Sequence, residues 1–179
     1  MCVYFTPSIS IKMQEKIKIF ITGGTFDKEY NELNGELHFN NSHMYKLLKL
    51  GRCRLDVDIE TLMMVDSIEM SKTERNYIIQ KCIEEPINHI VITHGTDTMV
   101  ETANMLANSI RNKTIILTGA MIPVKFGSSD GLFNMGGALS LTQVLPSGVY
   151  IAMNGQVFNQ ENVQKNKKLG IFEEMELVK

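Results

Sequence analysis

Thr25, Thr96 and Asp97 are the residues of this chain whose types and positions best suit chemistry on a substrate. Thr25 closes the segment Thr22-Gly-Gly-Thr25, and Thr96 and Asp97 lie within His94-Gly-Thr-Asp-Thr98, each just past an apolar β-branched run. A hydroxyl beside a carboxylate suits activation of water or of an attacking hydroxyl, because a threonine is a weak nucleophile without a positioned base. A structural explanation competes, since a helix N-terminus stabilises a carboxylate by about 0.3–1 kcal/mol and capping charge alone would account for Asp97. Gly95 permits the turn and Thr98 is predicted to cap the next helix, which leaves Thr96 and Asp97 without structural duties and favours function. Gly23-Gly24 lets the backbone turn tightly and approach a ligand without Cβ interference, although on its own this segment equally suits a plain strand-to-helix turn. His94 is expected to be packed or hydrogen-bonded rather than catalytic. A third segment, Thr118-Gly-Ala-Met-Ile-Pro123, has the same small-residue character.

These segments need elements to hold them. Apolar β-rich runs occur at about 16–22, 54–62, 88–93, 113–119 and 148–154, and helical patterns at about 40–50, 71–85, 98–110 and 132–145. Runs such as Ile90-Val-Ile92 and Ile115-Ile-Leu117 are nearly continuous, as strands covered on both faces are. Ser71-Lys-Thr-Glu74 and Thr98-Met-Val-Glu101 have the form of N-terminal capping boxes. Strand alternating with helix predicts right-handed βαβ units, hence an α/β, doubly wound, mostly parallel sheet with helices on both faces, a Rossmann- or flavodoxin-like three-layer fold. Such sheets bind ligands outside the carboxyl ends of their strands, at the switch point of strand order. Thr25, Thr96, Asp97 and Ala120 fall at such ends. The tail from Gly155 is expected to be an edge hairpin and loop with a short closing element, and Lys165-Asn-Lys-Lys168 a solvated loop. Residues 1–12 are expected to be a disordered extension and 13–179 a single domain.

Composition removes several classes. A net charge of −2 gives no electrostatic case for nucleic acid, and no apolar run is long enough for a membrane span. Three cysteines without a C-x-x-C spacing suggest free thiols in a reducing compartment, with Cys82 packed in the core, so a cytoplasmic location is the default. No dinucleotide fingerprint, phosphate loop, zinc spacing or G-x-S-x-G elbow is present, so neither metal nor cofactor is expected.

The chain resembles the N-terminal domain of the bacterial and archaeal L-asparaginase family. The resemblance runs from about Ile17 to Phe172 and rests on Ile21-Thr-Gly-Gly-Thr25, Val65-Asp-Ser67, Val91-Ile-Thr-His-Gly-Thr-Asp-Thr98, Leu117-Thr-Gly-Ala-Met-Ile-Pro123, Ser129-Asp-Gly-Leu-Phe-Asn134 and Ile151-Ala-Met-Asn-Gly155. It implies that Thr25 attacks a side-chain amide to give an acyl-enzyme, with Thr96 and Asp97 in the deprotonating relay. It further implies that Ser67 contacts a substrate carboxylate, that Ala120 offers its carbonyl beside the leaving amide, and that Gly95 and Ile68 line the pocket. The family relay includes a lysine. Counting without gaps from Asp130 to Gly155 puts Gln143 at that position, residues 131–164 contain no lysine, and Lys125 is a conceivable stand-in. Tyr30, five residues past Thr25, is the candidate for the family's flap tyrosine. The resemblance covers the N-terminal domain alone, so the family's small C-terminal domain is expected to be missing. The implied activity is hydrolysis of asparagine or a related small primary amide by a homodimer or tetramer. The alternative is a non-catalytic amino-acid-binding domain with a degenerate crevice. A component of a larger amidotransferase assembly stands third.

Overall fold

Nearly every residue of the strand at the centre of this fold is inaccessible to water, because helices cover both of its faces. The computed structural model describes residues 15–175, so the extension expected at 1–12 lies outside the described residues. In chain order the elements are β1 (Ile17–Gly23), a hairpin of β2 (Lys28–Asn31) and β3 (Glu36–Phe39), α1 (Met44–Leu50), β4 (Val57–Val65), α2 (Lys72–Glu84), β5 (His89–Thr93), α3 (Met99–Ser109), β6 (Thr114–Thr118), α4 (Gly131–Thr142), β7 (Gly148–Met153), β8 (Gln156–Asn159), and a second hairpin of β9 (Gln164–Asn166) and β10 (Ile171–Glu173).

The main sheet has the order β4-β1-β5-β6-β7-β8. Its first five strands are parallel, with Ile17 opposite both Val57 and His89, and β8 is antiparallel to β7. Asn154 and Gly155, both at positive φ, form the two-residue turn between β7 and β8. The fold is thus the doubly wound three-layer arrangement that alternating strands and helices require. Along β1, Ile17, Ile19 and Ile21 pack with Met44 and Leu47 of α1 and Met135, Ala138 and Leu139 of α4. Phe20 points the other way, to Ile78 and Cys82 of α2 and Ala103 and Leu106 of α3. Each buried Ile, Leu, Met or Phe among these stabilises the fold by roughly 1.5–3 kcal/mol, which is why the central strands need no polar face. Cys82 is a buried free thiol, its pKa pushed up to about 12 by desolvation.

Lys18 is buried near the start of β1, where Asp58, Glu60 and Glu85 surround its ammonium at 3.0–3.3 Å. Burial works against its charge, and the bonds from Glu60, Asp58 and Glu85 outweigh burial and raise its pKa.

Local signals were met in one helix and overridden in another. Ser71 and Glu74 form the reciprocal capping box of α2. Thr98 makes no cap bond at α3. Its hydroxyl instead donates to the Ser67 carbonyl at 2.7 Å, and Glu101 pairs with Arg75 at 3.0 Å. A tertiary bond between the loops after β4 and β5 has displaced the local one. The β2–β3 hairpin and the β9–β10 hairpin lie outside the main sheet. The second hairpin corrects the expectation of a solvated loop, because Lys165 lies on β9 with its side chain only 10% exposed. No helix among the described residues is long and apolar enough to cross a membrane.

Candidate functional site

From β1 the chain crosses to β4 on one side and then returns past β1 to β5 on the other. The carboxyl ends of β1 and β5 therefore flank the switch point, where loops leaving in opposite directions open a crevice. Gly23-Gly24 follows β1 with φ of 94° and 74°, and the Gly24 amide donates to the Val65 carbonyl at the end of β4. A Cβ on Gly24 would stand 2.4 Å from the Gly95 nitrogen, and one on Gly95 would stand 2.5 Å from Ser67 Oγ. The loops after β1, β5 and β4 thus touch backbone to backbone, which gathers Thr25, Thr96, Asp97 and Ser67 at one end of the sheet. A Cβ on Gly119 would lie 3.3 Å from the Thr96 methyl, so buried Ala120, the next residue, belongs to the same end.

Thr25 opens a short 3-10 turn (Thr25–Asp27) and is partly exposed, whereas Thr96 is buried. Lys165 Nζ donates to Thr96 Oγ1 at 2.7 Å and to Asp97 Oδ1 at 2.9 Å. Because the ammonium donates to Thr96 Oγ1, the hydrogen of that hydroxyl is left to point elsewhere. Ser67 Oγ is buried and has no hydrogen-bond partner among the described residues, a state that costs about 1–3 kcal/mol unless a bound group relieves it. Asp66, just before Ser67, pairs with Lys28 and accepts the Ile68 amide at 3.1 Å. Burial would raise its pKa, but the Lys28 bond, the Ile68 amide and the charges of Lys28 and Lys165 lower it. No group of three or more His, Cys, Asp or Glu suited to a metal ion occurs among the described residues.

His94 is a positioning residue. Its Nδ1–H donates to the Gly95 carbonyl at 2.8 Å and its Nε2 lies 2.9 Å from Thr102 Oγ1; full burial favours the neutral ring, in which Nε2 accepts from that hydroxyl. Desolvation, reinforced by the charge of Arg75, lowers its pKa from 6.5 to about 4, against the opposing pull of the Gly95 carbonyl and Glu101. The unfolded chain then binds the extra proton between pH 6.5 and 4, so stability is complete above about 6.5 and falls as pH drops through that window. The slope reaches at most about 1.4 kcal/mol per pH unit. We expect urea unfolding to show this decline, and His94→Gln to flatten it. An unchanged slope in that variant would refute the assignment.

Other expected residues lie elsewhere. Gln143 caps the C-terminus of α4, its amide donating to the Leu139 carbonyl at 2.9 Å. Helix α4 begins where Asp130 accepts the amides of Met121 and Ile122 after β6, and ends where the Thr142 carbonyl meets His89 at the start of β5. The helix carries Gln143 about 18 Å along the sheet, to the opposite end from Thr96. The ungapped count puts Gln143 in the relay, whereas the cation that the structure brings to Thr96 and Asp97 is Lys165. Lys125 is exposed and faces Glu29 at 3.8 Å, not Thr96. Tyr30 sits on the β2–β3 hairpin opposite Leu37, more than half exposed, with its hydroxyl near the Gly35 turn, and it makes no hydrogen bond to Thr25, Thr96 or Asp97. The Ile68 side chain is exposed at the rim. Sequence reasoning missed Lys165, Lys28 and Asp66. For Lys165 one negative signal existed, since with no lysine in 131–164 the next cation along the chain was the remaining candidate.

Comparison with known proteins agrees with this fold. Residues 16–174 match the family model described as "Asparaginase, N-terminal". The chain is 28% identical over 162 residues to the L-asparaginase of Thermococcus kodakarensis, covering 87% of this chain and 49% of that protein. It is 29% identical over 194 residues to the probable periplasmic L-asparaginase of Haemophilus influenzae, covering 96% of this chain and 53% of that protein. The structure of a probable cytoplasmic L-asparaginase from Campylobacter jejuni superposes with a TM-score of 0.78 at 30% identity, over 91% of this chain and 54% of that one. The chain spans about half the length of the curated relatives it matches.

Proposed function

Because the chain belongs to the asparaginase family, we propose that it is an amidohydrolase acting on asparagine or a related small primary amide, with Thr25 as nucleophile. Thr25 Oγ1 attacks the amide carbon and forms a C–O bond while its proton passes to Thr96 Oγ1, which gives its own hydrogen to the departing nitrogen. The C–N bond breaks and ammonia leaves, with the acyl group held as an ester on Thr25. Water then attacks that ester, releases the carboxylic acid and restores the hydroxyl. Lys165 and Asp97 orient Thr96 and stabilise charge along this path, a contribution on the order of 10²–10⁴ in rate. Ser67 and Gly95 receive the substrate, and the Ala120 carbonyl lies beside the leaving amide.

The observation that carries this reading is the bridging of Thr96 and Asp97 by Lys165. A crevice that only held an amino acid would not need a buried lysine tied to a threonine hydroxyl. The non-catalytic alternative drew its support from Gln143, which stands at the opposite end of the sheet from Thr96. A cytoplasmic location belongs to the same proposal and is supported by Cys53 and Cys82 being free thiols. So does self-association as a homodimer or tetramer, for which α4 offers Leu132 and Phe133 on its exposed side. The test is ammonia release from L-asparagine, L-glutamine and a panel of small aliphatic amides. We expect turnover of at least one, and folded protein that releases none would overturn the reading.

A further inference from the structure

We infer that Lys28 reads a carboxylate on the substrate, so that amides bearing a carboxylate are preferred over neutral ones. The inference rests on the amidohydrolase reading above. Lys28 begins β2, and its backbone amide donates to the Thr25 carbonyl, which puts it one turn from the proposed nucleophile. Its ammonium lies 5.7 Å from the centre of the Phe39 ring and pairs with Asp66, the residue before Ser67. The side chain keeps only 19% of its surface exposed. An ion pair placed merely to pin the hairpin would gain little, since exposed pairs contribute about 0–1 kcal/mol and withdrawing an ammonium from water costs more the deeper it lies.

The arrangement of charge says what the ammonium is for. Lys28, Asp66, Lys165 and Asp97 alternate in sign, from the hairpin root past the end of β4 to β9 and the loop after β5. Asp66 feels both lysines, so it balances Lys28 when no substrate is bound without consuming it. An ammonium has three donors, and among the described residues the Lys28 ammonium donates to Asp66 alone. Ser67 Oγ, one residue beyond Asp66, has no partner either. An ammonium with donors to spare and a buried unpartnered hydroxyl, on neighbouring positions of one crevice wall, jointly suit a carboxylate. Thr25 follows β1, the strand paired with β4, and so stands at the same end of the sheet.

The test combines calorimetric titration with succinate and kinetics with succinamic acid and propionamide, for wild type, Lys28→Arg and Lys28→Met. Losing a charge-assisted contact weakens binding by roughly ten- to a hundredfold. We expect Lys28→Met to raise the succinate Kd by that factor and Lys28→Arg by less than about a third of it. The kcat/KM ratio of succinamic acid to propionamide should fall with the same factor in Lys28→Met, chiefly through KM. Should circular dichroism show Lys28→Met unfolded, Lys28→Gln carries the same expectation. Equal losses on both substrates would mean a hairpin anchor and overturn the inference, as would succinate binding that Lys28→Met leaves at the wild-type value or that wild type lacks. Absence of ammonia from every amide would instead overturn the amidohydrolase reading, whereas turnover without carboxylate preference overturns this inference alone.

Discussion

Replacing Lys165 by methionine is expected to lower kcat for amide hydrolysis by about 10²–10⁴ while the protein stays folded. Thr25→Ala should cost at least about a thousandfold, because it removes the hydroxyl on which the proposed ester forms. The two losses should not add, since the nucleophile and its relay act on one step. The Lys165 variant keeps length and apolar volume but gives Thr96 Oγ1 no donor, so the hydroxyl is free to rotate and the Asp97 carboxylate loses its partner. Gln143→Lys makes the contrast sharp. A lysine there projects from the far end of α4, and we expect it to leave turnover within about twofold and to rescue nothing when combined with Lys165→Met. Ammonia release under saturating substrate, with circular dichroism as a check on folding, decides the matter. A Lys165→Met enzyme with near wild-type kcat would remove Lys165 from the relay.

That contrast also shows where sequence reasoning succeeded and where it stopped. The buried strands announced themselves because a strand covered on both faces must be apolar throughout, as Ile90-Val-Ile92 and Ile115-Ile-Leu117 are. Thr25, Thr96 and Asp97 were legible because they follow such strands directly, and strand ends are fixed by the sheet. Lys165 follows no buried strand. It is delivered by a three-residue strand of polar residues, Gln164–Asn166, paired with Ile171–Glu173, and such a strand carries no hydrophobic period. Its position depends on the reversal at Asn154-Gly155 and on the path of the tail, which are tertiary facts. The β2–β3 hairpin was missed for the same reason, although Asn34-Gly35, with Gly35 at φ 77°, is a turn signal that sequence inspection had within reach. At Thr98 the local rule was present and lost to a bond from another loop.

The second large effect is on stability. Gly24→Ala is expected to destabilise the protein by about 3–4 kcal/mol, a large share of the 5–15 kcal/mol typical of a whole domain. Gly24 has φ 74° and ψ −175°, a region open essentially to glycine alone and costing other residues about 1–3 kcal/mol. The added Cβ would also meet the Gly95 nitrogen and Cα at 2.4 and 2.5 Å, and backbone atoms held by β5 cannot swing aside as a flexible side chain does. Gly136→Ala is the control. A Cβ there meets nothing within 4 Å, and alanine in a helix interior is favoured over glycine by about 1 kcal/mol. Urea unfolding of both variants should therefore move in opposite directions. A loss below about 1 kcal/mol for Gly24→Ala would mean that the crevice loops are looser than their packing implies.

The strand order has a consequence for the chain as it is made. β1 precedes the other strands of the main sheet in the chain, yet it lies inside that sheet, between β4 and β5. It can complete one edge only when residue 65 has emerged and the other only when residue 93 has. Contacts that span so much chain form slowly, and a long apolar strand waiting for partners is an invitation to aggregation. The nucleophile candidate at residue 25 therefore exists long before the cation at residue 165 that completes its surroundings. A nascent chain carries that candidate hydroxyl without its neighbouring cation until all six strands of the main sheet have been made, so the arrangement proposed for catalysis is complete only after them.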